Sequence, residues 1–78
     1  MKAYVLINTR TGGVREVVRD LHRVEGILDA HMTFGPYDVV AILEAADINR
    51  IGYILATRIQ PIPGVVQTLT CLAVEDQG

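Results

Sequence analysis

The feature that most constrains the fold of this chain is the order in which strand-like and helix-like hydrophobic patterns follow one another. Strand-like apolar runs occupy 3–8, 27–34, 37–45 and 65–74, and helical patterns follow Gly13 and Asp47. The order is βαββαβ, in which two right-handed split units give a ferredoxin-like sandwich. We therefore predict an α+β fold with a four-stranded antiparallel sheet, as one domain over residues 1–78. The last few residues are polar and should fray.

Each predicted helix has one apolar face that should pack on the sheet. The first helix carries apolar residues at i, i+3, i+4 and i+7, namely Val14, Val17, Val18 and Leu21. Asp47 should cap the second helix, because its carboxylate can accept from first-turn N–H groups. The predicted inner face of that helix is Ile48, Gly52, Leu55 and Ile59, with Ile51 beside them. Gly52 costs about 1 kcal/mol of helix propensity relative to Ala, which a close approach to the sheet would explain.

The first and third strands are apolar on both faces, which is typical of central strands. In the first, for example, Tyr4 and Leu6 alternate with Val5 and Ile7. Two helices can cover only one face of such a sheet. Half of the 78 residues are hydrophobic, which is a high fraction for so small a domain. We therefore expect a second copy to cover the open face, giving a homodimer through the sheet.

Composition argues against several classes of function. The net charge is −2 and the pI is near 5.5, which argues against nucleic acid as a direct partner. No apolar stretch reaches the ~18 residues of a membrane span, and no signal-peptide pattern follows Met1. The single cysteine, Cys71, fits a reducing compartment, so we expect a cytoplasmic protein. Cys71 should be buried in the last strand.

Neither histidine has a carboxylate or cysteine at zinc-ligand spacing, so we predict no metal and no cofactor. His22 lies in the first helix. His31 lies in the second strand, on the face expected to meet another copy, where a structural role is predicted. Thr11-Gly12-Gly13 is too short and generic for an anion site, and we predict a simple turn there. Because no catalytic triad or carboxylate pair can be built, the sequence does not predict an enzyme.

The turn Gly35-Pro36-Tyr37-Asp38 carries a polar group that needs a partner. Glycine allows unusual φ values and proline fixes its own, which predicts a turn. By strand phase, the Asp38 carboxylate shares a face with Val40 and Ile42. Its partner is a ligand, another subunit or the turn's own N–H groups, and spacing alone favours a structural partner. A free amino acid would need this carboxylate for its ammonium group and N–H or hydroxyl donors for its own carboxylate. The candidate donors are the Gly35 backbone, Thr33, Thr68 and Thr70.

Several segments, taken in order, resemble a known family. They are Val24-Glu25-Gly26-Ile27, Ala30-His31, Gly35-Pro36-Tyr37-Asp38 before an apolar strand, Ile62-Pro63-Gly64-Val65 and Thr68-Leu69-Thr70. Together they resemble the effector-binding domain, called RAM, of the Lrp/AsnC (feast/famine) transcription regulators, over residues 2–75. The Gly-x-Tyr-Asp turn and the Pro-Gly-Val-x-x-Thr-x-Thr strand, in this order, are the most specific parts of the resemblance.

The resemblance implies an effector-binding module. In that family, dimers form by facing sheets and assemble into rings, commonly octamers, and small effectors, usually amino acids, bind between dimers near the Gly-x-Tyr-Asp turn. Carried over, this assigns effector contacts to Gly35, Tyr37 and Asp38, with Thr68 and Thr70 as further contacts. Full-length members begin with a helix-turn-helix, whereas here Met1 opens directly on the first strand. The resemblance therefore implies a stand-alone form that does not bind DNA itself and that modulates full-length regulators.

Two other classes of function stay open. The first is a small dimeric enzyme with His31 or His22 as its acid–base group, which would need an open pocket beside a histidine. The second is a purely structural subunit of a larger ring, in which Asp38→Ala would leave assembly intact. The chain also resembles the ACT domain in fold, because that amino-acid-binding domain is ferredoxin-like. Its ligand glycine follows the first strand, as Thr11-Gly12-Gly13 does here.

Overall fold

Four antiparallel strands form one sheet, and both helices pack on the same face of it. The computed structural model describes residues 1–74. Its elements are β1 (Lys2–Thr9), α1 (Val14–Leu21), β2 (Ile27–Met32), β3 (Val39–Glu44), α2 (Ile48–Ile54), a π-helical segment (Leu55–Ile59) that continues α2, and β4 (Val65–Leu72). The strand order β2-β3-β1-β4 confirms the ferredoxin-like prediction and the central place of β1 and β3. The predicted fraying of the chain end concerns residues outside the described part.

The core lies between the helices and the covered face of the sheet. Alternate residues of β1 and β3 point towards the helices and are fully buried, as the pairs Ala3 with Leu43, Val5 with Ala41, and Ile7 with Val39. α1 adds Val17 and Leu21, both fully buried, with Val14 and Val18 partly buried beside them. The predicted inner face of α1 is therefore confirmed.

The predicted inner face of the second helix is correct at Ile51, Leu55 and Ile59 and wrong at Ile48 and Gly52. The buried residues of this helical stretch are Ile51, Ile54 and Ile59. Ile48, which was predicted to face the sheet, is 53% exposed. Later in the helix, the buried residues Ile54 and Ile59 are five positions apart, because the Gln60 N–H donates to the Leu55 carbonyl at 2.8 Å, an i→i+5 bond that places an extra residue in the turn. A pattern search that assumes 3.6 residues per turn cannot anticipate this change.

The two sequence predictions at the start of α2 have different outcomes. The Asp47 side chain accepts a hydrogen bond from the Arg50 N–H at 2.9 Å, which confirms Asp47 as the N-cap. Gly52, however, does not approach the sheet. A Cβ built on Gly52 would have nothing beyond its own neighbourhood in the helix within 4 Å. The explanation of this glycine by close packing is therefore wrong.

β2 contains a bulge that strict alternation did not predict. Ile27 pairs with Leu43 and Asp29 pairs with Ile42, so Leu28 is an extra residue between the two pairs. The bulge turns Ile27 towards the core, although alternation had placed it on the opposite face. β2 also ends at Met32, two residues before the predicted end. The ends of the other strands differ from the predicted ranges by one or two residues.

The second face of the sheet is apolar and lies away from both helices. Tyr4 of β1 is 41% exposed and Leu69 of β4 is 47% exposed. Val40 and Ile42 of β3 lie on this face as well and are half-buried. Cys71 pairs with Tyr4 and is exposed, so its predicted burial is wrong for the single chain. This open face has the composition expected of a surface that another molecule covers.

Glycine is required at two places where a loop meets the sheet. Gly26 has a φ of +99°, and a Cβ built there would lie 2.8 Å from the Glu44 carbonyl oxygen. Gly64 has a φ of +98° and precedes β4. The Gly64 carbonyl accepts a hydrogen bond from the Arg10 N–H at 2.7 Å, which ties the start of β4 to the end of β1. Both glycines belong to segments on which the family resemblance depends.

Candidate functional site

The loop between β2 and β3 is closed by two hydrogen bonds from Thr33. Its N–H donates to the Asp38 carbonyl at 2.9 Å. Its hydroxyl donates to the Tyr37 carbonyl at 2.6 Å. These bonds hold the two ends of the loop together and leave Phe34 fully exposed beside the tip. Three of the predicted site residues are thus brought into one small hydrogen-bonded unit.

Asp38 joins this loop to the end of β1. Its Oδ2 accepts a hydrogen bond from the Thr9 N–H at 2.7 Å and lies 3.4 Å from the Thr9 hydroxyl oxygen. Its own N–H donates to the Ile7 carbonyl at 2.9 Å. The partner of Oδ2 is therefore a neighbouring strand, which was not among the three partners that the sequence suggested. Only the register of β1 against β3 could have revealed Thr9.

The second carboxylate oxygen of Asp38 has no such partner. Among residues 1–74, no hydrogen bond or ion pair involves Asp38 Oδ1. Within residues 1–74, no buried side-chain oxygen lacks a hydrogen-bond partner, so the unpartnered Oδ1 is accessible while Oδ2 is held. A carboxylate fixed through one oxygen can accept a hydrogen bond from an ammonium group through the other.

Gly35 is not explained by the conformation of the chain. Its φ lies outside the left-handed region, which within residues 1–74 is occupied by Gly12, Gly26 and Gly64. The expectation that Gly35 supplies an unusual φ is therefore wrong. A Cβ built on Gly35 would meet nothing within 4 Å beyond its chain neighbours. The glycine leaves an exposed backbone at the loop tip.

Thr68 and Thr70 lie on a different strand from Asp38. They pair with Ile7 and Val5, two residues that face the helices, so both threonines are on the helix side of β4. β1 separates β4 from β3 in the sheet. Within the described residues, neither threonine bonds to the Asp38 loop; Thr68 instead accepts a hydrogen bond from Gln60 at 3.3 Å.

The histidines are exposed and lie away from the cavities. His31 Nε2 is 2.8 Å from Asp29 Oδ2 on the open face of the sheet, a contact that the sequence prediction missed although the two residues are only two apart. His22 is exposed after α1. Two surface cavities of 540 and 390 Å³ both involve Glu44, at the far end of β3 from Asp38. Neither cavity is lined by a histidine or by Asp38.

Residues 1–74 contain neither a metal-binding cluster nor a membrane-spanning helix. No group of three or more His, Cys, Asp or Glu side chains there could hold a metal ion. No helix in that range is long and apolar enough to cross a membrane.

Comparison with known proteins identifies the family. The family model of the Lrp/AsnC ligand binding domain matches residues 2–76. This chain belongs to the Lrp/AsnC family. The match covers all the segments on which the sequence resemblance was based, from Val24 to Thr70.

Relatives of this Lrp/AsnC domain include transcription regulators. The chain is 30% identical over 59 residues to PH1916 of Pyrococcus horikoshii, an uncharacterized HTH-type transcriptional regulator, covering 76% of this chain and 39% of PH1916. It thus spans about two fifths of the length of the curated relatives it matches. The crystal structure of TTHA0845 from Thermus thermophilus has a TM-score of 0.91 and 26% identity, covering 99% of this chain and 96% of that one.

A more distant structure has the same fold. The regulator NMB0573 from Neisseria meningitidis, crystallised as a complex with L-Met, has a TM-score of 0.86 and covers 99% of this chain and 51% of that one. At 14% identity, this likeness establishes the fold alone.

Proposed function

We propose that this Lrp/AsnC domain binds a free amino acid whose ammonium group is held by Asp38. The proposal depends on the hydrogen bonding of the Asp38 carboxylate. Its Oδ2 is fixed by the Thr9 N–H at 2.7 Å, while Oδ1 has no partner among residues 1–74. A group that is already held in place loses little conformational freedom when a ligand binds. The site thus offers a preorganised acceptor for a cationic group.

The carboxylate of the amino acid needs hydrogen-bond donors near the same loop. The exposed backbone at Gly35 can supply one, although Pro36, beside it, has no N–H. Tyr37 adds a hydroxyl. Thr68 and Thr70, the further predicted contacts, lie beyond β1 on the helix side of β4, away from this loop. The Thr33 hydroxyl is already engaged with the Tyr37 carbonyl, so its role is to close the loop. The L-Met complex of NMB0573, a protein of the same fold, supports an amino acid as the ligand.

The proposed assembly is a homodimer through the open sheet face, with dimers forming an octamer or similar ring. The exposed apolar side chains of Tyr4 and Leu69 support a covered face. In such a ring the Asp38 loop lies at a boundary between dimers. An amino acid bound there stabilises the assembly that binds it better, by about 2.7 kcal/mol at a concentration of 100 Kd.

The biological role that follows is the modulation of transcription regulators. The domain shares its family with HTH-type regulators such as PH1916, so the same sheet face can pair with the corresponding domain of a longer relative. A stand-alone role is supported by TTHA0845, whose crystallised chain is matched over 96% of its length. With a net charge of −2, this domain does not itself contact DNA. The enzyme alternative needs an open pocket beside a histidine, and neither of the two cavities at Glu44 is lined by His31 or His22.

The test is isothermal titration of the purified protein with each of the twenty amino acids, alongside the variant Asp38→Asn. The asparagine oxygen can still accept from the Thr9 N–H, but the charge that attracts an ammonium group is lost. Asp47→Asn, a change of the same kind in a helix cap far from the loop, is the matched control. We expect binding by the wild type and the control and a loss of at least about tenfold in Asp38→Asn. No binding by any amino acid at millimolar concentration would refute the proposal.

A further inference from the structure

An ionisable pair lies at the margin of the open sheet face, and the proposed function has not used it. Asp29 pairs with Ile42 and His31 pairs with Val40 in the register of β2 against β3. The residues between them on the two strands, such as Ala41, are buried under the helices. Asp29 and His31 therefore share the open face with the apolar side chains that a second copy is proposed to cover.

The Asp29 carboxylate is held through both of its oxygens. Oδ1 accepts a hydrogen bond from the Ala30 N–H at 2.9 Å, and Oδ2 lies 2.8 Å from His31 Nε2. In the single chain the two side chains are 46% and 65% exposed, so water reaches both groups. Because a histidine gains or loses its charge between pH 5 and 8, the pair exists in two states. Its net charge is −1 with a neutral imidazole and zero with a protonated one.

The free energy of covering this face depends on which state is present. A second copy that packs on the face removes water from it. With a neutral His31, the Asp29 carboxylate would lose its solvation without a counter-charge. With a protonated His31, the same carboxylate is covered as part of a hydrogen-bonded ion pair, which is far less costly than burying an unpaired charge. Covering the face therefore favours the protonated imidazole.

The other titratable groups along this face act in the same direction. From β3, β1 and β4 in turn, they are Asp38, Glu44, Lys2, Tyr4 and Cys71. Tyrosine and cysteine side chains are ordinarily neutral near pH 7, and carboxylates outnumber the lysine. α1 packs on the opposite face of β2, beyond the sheet. A facing copy brings the same excess of negative charge, which again favours a positive His31.

We propose that the Asp29–His31 pair makes the assembly of this domain depend on pH, with His31 protonated in the homodimer. This inference rests on the proposed function, because it takes a second copy as the molecule that covers the open face. Each chain then takes up as much as one proton when the dimer forms. The dimer is tightest below about pH 6, where the imidazole is already protonated in the free chain, and it weakens as the pH rises.

The experiment measures the dimer Kd by sedimentation equilibrium at about pH 6 and about pH 8. The wild type is compared with His31→Gln, Asp29→Asn and the control His22→Gln, at one ionic strength. Glutamine at 31 is neutral at both pH values, and asparagine at 29 removes the carboxylate that needs a counter-charge. His22 is exposed at the end of α1, so its loss changes the titratable charge of the chain equally without touching the pair.

We expect the wild-type Kd to rise about tenfold from the lower pH to the higher one, which corresponds to a difference of one unit in proton affinity at one site. His22→Gln should keep this ratio, and His31→Gln and Asp29→Asn should lose it. A ratio that survives in His31→Gln, or that disappears equally in His22→Gln, would refute the role of the pair. If His31→Gln fails to fold, an unchanged ratio in Asp29→Asn refutes it instead.

The proposed function fails in a different way. A wild type that dimerises equally well at both pH values removes only the pH dependence and leaves the proposed assembly standing. A wild type that stays monomeric at both pH values refutes the proposed assembly and this inference together. Binding of an amino acid through Asp38 is decided separately, by titration of the wild type and Asp38→Asn.

Discussion

Replacing Asp38 by alanine should destabilise the domain even when no effector is present. The change removes the acceptor of the Thr9 N–H, a 2.7 Å hydrogen bond to a charged oxygen. Hydrogen bonds to charged groups contribute about 1.5–3 kcal/mol to stability. Because Asp38 and Thr9 are only half-buried, water can replace part of this bond, and we expect a loss of about 1–2 kcal/mol. For a domain of this size, each kcal/mol lowers the Tm by about 4–8 °C.

Two further variants separate the lost hydrogen bond from a general effect of substitution. Asp38→Asn keeps an oxygen acceptor for Thr9, so it should lose less than about 1 kcal/mol. Glu44→Ala changes an exposed carboxylate at the other end of β3 and should stay within about 0.5 kcal/mol of the wild type. All four proteins are unfolded in urea at one protein concentration, because assembly adds to the measured stability. If Asp38→Ala and Glu44→Ala have the same midpoint, the Thr9 bond does not stabilise the sheet and our reasoning about the fixed carboxylate is wrong.

Three other predictions follow from the packing. Gly52→Ala should raise the free energy of unfolding by about 0.5–1 kcal/mol, because the site is helical and open; a loss of stability in urea would contradict this. Gly26→Ala should lower the free energy of unfolding by at least about 2 kcal/mol, since φ is +99° and the new Cβ would meet the Glu44 carbonyl at 2.8 Å. A urea midpoint equal to that of the wild type would show that this strain is absent. Ile42→Lys places a charge on the open sheet face and should shift the sedimentation coefficient to that of a monomer without unfolding the domain; an unchanged coefficient would argue against the proposed interface.

The fold could be predicted from the sequence because its signals are repeated along each element. In β1 and β3 the side chains alternate between the two faces over several residues, and the inner face of α1 recurs at four positions. An error at a single residue therefore hardly affects the prediction of the fold. The errors occur where one residue changes the period. Leu28 adds a residue to β2 and reverses the face of Ile27. The i→i+5 bond of Gln60 likewise widens the spacing between the buried residues Ile54 and Ile59 to five. A single insertion of this kind depends on the packing of both neighbouring elements, which a local pattern does not contain.

The candidate site was predicted less completely, for a related reason. The Asp38 loop could be located because glycine, proline and a carboxylate stand together between two apolar strands. The partner of the carboxylate, Thr9, is 29 positions away and is brought close only by the pairing of β1 with β3. Interactions between elements therefore have to come from the three-dimensional structure.

The last residue of β1 forms a mechanical link across the proposed site. Two consecutive N–H groups there bind different elements: that of Thr9 binds the Asp38 side chain at 2.7 Å, and that of Arg10 binds the Gly64 carbonyl at 2.7 Å. Asp38 and β4 are not neighbours in the sheet, yet the two peptide units that hold them meet at the Cα atom of Thr9. Each peptide unit is planar, so only the φ and ψ angles of Thr9 separate the two, and a ligand that displaced Asp38 would act one residue away from the hydrogen bond that holds the start of β4. The position of β4, the strand that carries Thr68, would then depend on whether a ligand occupies the Asp38 carboxylate.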